Sequence, residues 1–159
     1  MLLYFRFLMV LLYHYFTRVR LFATLSLVML MTAIILFDGV CNLCNQSVQF
    51  ILKRDPEGYF SFASIQGESG QELLKKYQIS KNLDSLLLIK DNKYYTKSAA
   101  ALQICKHLNG FWKYLIIFKI VPPFIRNGLY DMVAKNRYKW FGKRDSCMLP
   151  TPDNKNRFI

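Results

Sequence analysis

The chain has 159 residues and a formal net charge of +12, and 53% of its residues are hydrophobic. This length allows one domain with a substantial core plus extensions, the hydrophobic content excludes general disorder, and four cysteines are too few for a disulfide-stabilised secreted scaffold. The basic charge is scattered rather than clustered, so we assign it to solvated surface, expect no nucleic acid partner and predict a reducing, cytoplasmic location.

Residues 1–32 differ from the rest of the chain because they are rich in Leu, Phe and Tyr and contain no acidic residue. Neither of the apolar runs that begin here is a full membrane span, which needs roughly 20 residues. Two interpretations remain open. The segment associates with a membrane, or it is an artefact of an upstream start and the natural protein begins at Met29 or Met31.

The most informative stretch is residues 33–54. The apolar run 33–37 predicts a buried strand, and residues 46–54 have the composition of a helix. Between them stands Cys41-x-x-Cys44. A helix N-terminus favours the thiolate form of a cysteine, and a second thiol one helical turn away can attack a mixed disulfide. The pattern therefore predicts a redox-active pair.

The two thiols are expected to differ in exposure. Cys44 shares a helical stripe with Val48, Ile51 and Leu52, so we predict that it is buried and acts as the resolving thiol. Cys41 stands where the helix begins, so we predict that it is exposed and acts as the nucleophile.

The cysteine pair could also be half of a zinc site or simply structural. A zinc site needs four ligands, and the remaining candidates form no second closely spaced pair: Cys105, Cys147, His14 and His107. Two structural cysteines remain a possibility as well. We expect no cofactor and no metal. Cys105 lies on an apolar helical stripe and is assigned to the core, whereas Cys147 follows several cations and is a candidate auxiliary thiol.

The remaining elements predict an α/β order. Apolar runs, turn residues and caps give a strand at 59–63, a helix at 67–77, a hairpin of strands 86–89 and 93–96, and a helix that Ser98 caps. The order β-α-β-α-β-β-α is thioredoxin-like, with a mixed sheet flanked by helices, and places the core at residues 33–110.

Residues 111–159 form a predicted helical extension and tail. An apolar segment runs to residue 121, a proline pair stops it, and a basic aromatic helix is expected over 124–141. One stripe of this helix is apolar and is expected to pack on the domain: Leu129, Met132, Val133 and Trp140. The basic residues off the stripe are expected to be solvated: Arg126, Lys135, Arg137 and Lys139.

Three motifs resemble the DCC family of thiol-disulfide oxidoreductases, across residues 33–152. They are Asp38-Gly39-x-Cys41-x-x-Cys44, then Ser98-Ala99-Ala100-Ala101-Leu102, and finally Arg137-Tyr138-x-x-Phe141-Gly142 followed by Cys147-x-x-Pro150. The resemblance implies a thioredoxin-like fold, thiol-disulfide exchange with protein or small-molecule substrates, and Asp38, Cys41 and Cys44 as the functional residues.

The loop residues before Cys41 allow two roles for a carboxylate. Asp38 could accept a proton from a thiol, or it could hydrogen-bond the loop backbone. Gly39 is expected to permit a positive φ or a close backbone approach. Active thioredoxins carry a cis-proline before the third strand, where this chain has Asp84-Ser85. We therefore expect that substrate docking differs or that redox activity on proteins is weak.

A non-enzymatic alternative also remains. The apolar N-terminus, the apolar segment 111–121 and the basic surface would suit a membrane-associated interaction module whose cysteines are structural.

Overall fold

The computed structural model describes residues 33–80, 86–145 and 151–159. The interpretations of residues 1–32, the Asp84-Ser85 position and Cys147 lie outside these ranges. Residues 33–159 form one compact unit. Within the described ranges, no helix is both long enough and apolar enough to cross a membrane.

Strands and helices follow the predicted order, with one long helix added after it. In chain order, the elements are β1 (Ala33–Phe37), α1 (Asn42–Arg54), β2 (Phe60–Ser64), α2 (Glu68–Lys76), β3 (Leu87–Lys90), β4 (Lys93–Thr96), α3 (Lys97–Lys106) and α4 (Pro123–Phe141). Two 3-10 helices occupy Gly110–Ile120 and Pro152–Arg157. The prediction placed β2 and β3 one residue too early.

The four strands form one mixed sheet in the order β2-β1-β3-β4. β1 pairs parallel with β2 and antiparallel with β3, so that Ile35 lies between Phe62 and Leu88. Asp91 and Asn92 adopt positive φ values of 53° and 57° and join β3 to β4, which confirms the predicted hairpin turn. This is the predicted α/β thioredoxin-like fold, with β1 in the interior of the sheet.

Both faces of the sheet are covered. Ile35 and Phe37 belong to a buried cluster that includes Val48 of α1 and Ile104 of α3. Leu36 points the other way and packs with a cluster that includes residues of α2. The alternation along β1 therefore places α1 and α3 on one face and α2 on the other. The cysteine loop begins where β1 ends, after Phe37.

Two predictions about the helical part are wrong. Ser98 lies inside α3 rather than capping it, and its hydroxyl hydrogen-bonds Asn127 of α4. On α4, the predicted apolar stripe is largely exposed, since Leu129, Met132 and Trp140 are 51–61% accessible. The buried residue of this helix is Arg137, which had been assigned to solvent. Arg137 faces inward because it pairs with Asp38 of the cysteine loop.

Candidate functional site

Side chains from two other segments hold the loop between β1 and α1. Gln66, after β2, accepts from the Gly39 amide at 3.0 Å and donates to Asp38 Oδ1 at 2.8 Å. Asn45, in the first turns of α1, donates to the Gly39 carbonyl at 2.9 Å. The Val40 amide donates to Asp38 Oδ1 at 3.2 Å, so the predicted bond between this carboxylate and the loop backbone is present. The loop is thus rigidly positioned beside the cysteines.

Gly39 serves this loop through its backbone groups. Its N–H donates to Gln66 and its C=O accepts from Asn45. The positive φ values found among glycines in the described ranges belong to Gly58, Gly110 and Gly142. The expected positive φ at Gly39 is therefore not what this position provides.

Asp38 is the buried acceptor at the centre of the site. Arg137 Nη2 lies 3.2 Å from its Oδ2, and the Tyr138 hydroxyl donates to the same oxygen. Burial opposes the charge of Asp38, but hydrogen bonds from Tyr138, Gln66, the Val40 amide and Arg137 outweigh it and lower the pKa of this carboxyl. A carboxylate held ionised in this way is a weak proton acceptor.

Cys41 occupies the N-cap position of α1, where the sequence predicted that the helix begins. Its accessible surface is 0%, so the predicted exposure of Cys41 is wrong. Residues 142–144, here called the strap, lie alongside Cys41. The strap pairs antiparallel with the loop through a bridge between Lys143 and Cys41, and the Arg144 amide donates to the Val40 carbonyl at 2.8 Å.

The strap is also attached through Asn42, the first residue of α1. The Asn42 side-chain amide donates to the Phe141 carbonyl at 2.9 Å, and Arg144 Nε donates to Asn42 Oδ1 at 2.9 Å. The Asn42 backbone N–H lies 3.5 Å from the Gly142 carbonyl. The left-handed φ of 80° at Gly142 turns the chain from α4 into the strap.

Cys44 is half-buried and packs against the core cluster, so its predicted burial is confirmed only in part. On the same predicted stripe, Val48 and Ile51 are buried, as expected. Burial of the sulfur raises the pKa of Cys44 to about 12, and the adjacent Cys41 contributes through its charge and a hydrogen bond. Both cysteines are free thiols. At neutral pH Cys44 is therefore a protonated thiol beside Cys41.

A cavity of about 450 Å³ opens beside Cys44, and we call it the Cys44 cavity. Helices α1, α3 and α4 form its walls. The described residues that line it are mostly apolar: Asp38, Leu43, Cys44, Gln46, Ser47, Phe50, Ile51, Leu86, Ala101, Ile104, Cys105, Leu108, Tyr130, Val133, Ala134 and Arg137. Cys105 therefore lies in this wall rather than in the core to which it was assigned, and burial raises the pKa of its thiol.

Two further sequence candidates, His107 and a metal site, lie apart from the cysteine pair. His107 stacks on Tyr59 with ring centroids 4.2 Å apart, and its Nε2 lies 3.0 Å from Lys90 Nζ, so it packs against the sheet. Burial and the nearby lysines lower the pKa of His107. Within the described part of the chain, no group of three or more His, Cys, Asp or Glu side chains is placed to hold a metal ion.

Sequence reasoning missed several residues of the site. Gln66 and Asn45 were not singled out, because neither belongs to a motif and their partners are backbone groups of a loop. Arg137 and Tyr138 were quoted within a family motif, and this motif was the available signal for their role. Their contact with Asp38 spans 99 and 100 positions of the chain, so no local pattern reveals it.

The sequence is similar to a known protein family and to two curated proteins. Residues 35–143 match the model of the DCC1-like thiol-disulfide oxidoreductase family. The uncharacterized protein YuxK of Bacillus subtilis is 53% identical over 127 residues, which cover 79% of this chain and 93% of YuxK. A chloroplastic DCC family protein of Arabidopsis thaliana is 40% identical over 118 residues, which cover 73% of this chain and 69% of that protein. No solved structure gives a significant match.

Proposed function

Because the chain belongs to the DCC1-like thiol-disulfide oxidoreductase family, we propose that it exchanges disulfides with thiol substrates through Cys41 and Cys44. The observation that carries the proposal is the pairing of a covered Cys41 at the start of α1 with a partly exposed Cys44 one turn away. The two sulfurs interact, as the pKa of Cys44 reflects. A Cys-x-x-Cys spacing at the start of a helix places the two thiols one turn apart, within reach of each other for exchange.

The order of the two thiols follows from their access. The sequence predicted Cys41 as the nucleophile towards substrate and Cys44 as the resolving thiol. Exposure supports the reverse assignment, since Cys44 lines the cavity and Cys41 is covered by the strap. We therefore assign the mixed disulfide with substrate to Cys44. Cys41, at the positive end of α1, leaves as a thiolate when substrate is oxidised. When substrate is reduced, the Cys41 thiolate attacks the mixed disulfide on Cys44.

Exchange with a substrate dithiol takes two steps. One substrate thiolate attacks Cys44 Sγ of the Cys41–Cys44 disulfide, that bond breaks, and Cys41 leaves as thiolate. The second substrate thiolate then attacks the substrate sulfur bonded to Cys44, and a substrate disulfide forms. Cys44 leaves and takes up a proton, which its raised pKa favours. An electron pair has moved from substrate to protein, and the reverse sequence reduces a disulfide.

Asp38 and Arg137 have a positioning role in this proposal. Their ion pair connects the cysteine loop to α4, and α4 continues into the strap over Cys41. The lowered pKa of Asp38 keeps the carboxylate charged, so it orients the loop and is not assigned the proton of Cys44.

The test is the redox state of the pair in glutathione buffers of defined potential. We expect Cys41 and Cys44 to convert between dithiol and disulfide in one cooperative transition, measured by thiol-specific labelling and mass spectrometry. If Cys41 and Cys44 form no disulfide at any potential, the proposal is wrong.

A membrane-associated module without redox activity is a second candidate, favoured by one specific observation. Large apolar side chains of the 3-10 helix Gly110–Ile120 and of α4 are exposed, including Phe111 at 71%, Ile120 at 82% and Phe124 at 76%. This candidate predicts that the full chain sediments with anionic lipid vesicles, and that replacing both Cys41 and Cys44 by Ser changes neither vesicle binding nor biological activity. Loss of activity in that double variant would oppose it.

A further inference from the structure

The Cys44 cavity has the size and chemistry of a small-molecule site. Its volume of about 450 Å³ falls within the range of roughly 300–1,000 Å³ typical of ligand pockets. Side chains of three helices form its walls, including Phe50, Ile104 and Val133. A thiol, Cys44, stands in the wall. An occupant of this cavity would present its own sulfur directly to Cys44.

Charge restricts the kind of molecule that fits. Among the described lining residues, the ionised side chains at neutral pH are Asp38 and Arg137, and they pair with each other. Their charges compensate, so the cavity offers neither a cationic nor an anionic group in excess. A charged occupant would lose its hydration without a matching partner, whereas an apolar body would gain by burial.

A peptide substrate meets an obstacle on the other side of the cysteine pair. An extended peptide binds beside a strand or loop through unpaired backbone groups. Here the Val40 carbonyl accepts from the Arg144 amide, and the bridge between Cys41 and Lys143 continues that pairing. Among the described residues, the strap therefore already occupies the backbone edge next to Cys41, whereas the cavity gives an approach to Cys44.

We propose that the Cys44 cavity binds a small, uncharged dithiol or cyclic disulfide with an apolar body, and that this class of molecule is the substrate. Lipoamide represents the class, since its cyclic disulfide is joined to a hydrocarbon chain that ends in a neutral amide. This inference rests on the proposed exchange through Cys41 and Cys44. In a single turnover, dihydrolipoamide becomes lipoamide while the protein disulfide becomes a dithiol, so that atoms and electrons balance without another reactant.

The experiment compares rates of reduction of the full-length protein in its Cys41–Cys44 disulfide form. The probes are dihydrolipoamide, the hydrophilic dithiol dithiothreitol and a peptide that holds two cysteines, each at the same thiolate concentration. We expect dihydrolipoamide to react at least roughly tenfold faster than dithiothreitol, because its hydrocarbon chain is buried on binding. The peptide is expected to be slower than both.

Two variants on α3 identify the site of this preference. Ala101 lines the cavity, so Ala101→Leu fills part of it and should bring the ratio of the dihydrolipoamide and dithiothreitol rates close to one. Ala99 is outside the described lining of the cavity and is also half-buried, so Ala99→Leu should keep the ratio of the unmodified protein. A ratio within one variant is insensitive to a modest loss of folded protein.

The outcomes separate this inference from the proposed function. Equal rates with both small dithiols, a faster reaction with the peptide, or a preference that survives Ala101→Leu would overturn the inference and leave the exchange reaction standing. A protein that forms no Cys41–Cys44 disulfide, or whose disulfide reacts with none of the three probes, would overturn the exchange reaction itself.

Discussion

Arg137 and Asp38 stand 99 positions apart in the chain and form an ion pair in which both side chains are buried. This contact attaches α4 to the cysteine loop. Burial makes the pair sensitive to loss of either member, because the remaining charge would be buried without compensation.

Loss of this pair should reduce stability strongly. We expect Asp38→Asn to lower the free energy of unfolding by about 3 kcal/mol or more, measured by urea denaturation. Asp131→Asn is the control, since Asp131 pairs with Lys97 at 2.7 Å and both side chains are partly exposed, at 36% and 41%. That change should cost under about 1 kcal/mol. Equal losses in the two variants would contradict the structural role of Asp38.

Acid should remove the contribution of Asp38. Its pKa is lowered in the folded protein, so the native state holds fewer protons than the unfolded chain. The stabilisation is therefore complete above the unfolded pKa and is lost as pH falls through the folded pKa. The difference in unfolding free energy between the unmodified protein and Asp38→Asn should shrink over this acidic range. A difference that grows as pH falls would contradict the direction of the shift.

Alkylation should distinguish the two thiols. In the reduced folded protein, we expect a small reagent such as iodoacetamide to modify Cys44 before Cys41, because Cys44 lines the cavity and Cys41 is fully buried, although the raised pKa of Cys44 slows its reaction at neutral pH. Peptide mass spectrometry assigns the modified site. In urea the difference should disappear. Preferential modification of Cys41 under native conditions would restore the assignment predicted from sequence.

The rate of Cys44 alkylation should depend steeply on pH. With its pKa raised to about 12, the thiolate fraction of Cys44 grows roughly tenfold per pH unit throughout the neutral and mildly alkaline range. The rate should thus rise without a plateau up to about pH 10, whereas an ordinary thiol, with a pKa of about 8.5, begins to level off near that value. A plateau near pH 9 would show that Cys44 is not held as a thiol.

The strap should control access to Cys41. Asn42→Ala removes both side-chain bonds that attach α1 to the segment around the strap. We expect the alkylation rate of Cys41 to rise severalfold, with Cys44 little affected. Asn136→Ala is the control, because Asn136 bonds a carbonyl of its own helix. An unchanged Cys41 rate in Asn42→Ala would mean that different contacts keep this thiol covered.

Local patterns were sufficient to predict the order of strands and helices. The apolar run before Asp38, the turn at Asp91–Asn92 and the helix after Cys41 each depend on neighbouring residues, and the structure has them within about a residue of the prediction. The order of elements then restricts the sheet to few topologies, and the observed mixed sheet is the predicted thioredoxin-like one.

The exposure of the cysteines was not predictable in the same way. Periodicity along α1 assigned Cys44 to the core, but the helices opposite it leave a cavity there. Cys41 is covered by a segment about 100 positions later, and Arg137 is buried because its partner, Asp38, is equally distant in sequence. Helical periodicity records which residues share a face and carries no information about which distant segment covers it.

The most direct test of the central claim is to trap the mixed disulfide in single-cysteine variants of the pair. Full-length Cys41→Ser and Cys44→Ser are each incubated with lipoamide or glutathione disulfide, and intact-mass and peptide mass spectrometry locate the adduct. We expect Cys41→Ser to accumulate a stable adduct on Cys44, because the thiol that would resolve it is gone. Cys44→Ser should give little adduct. A stable adduct on Cys41 together with none on Cys44 would contradict the account.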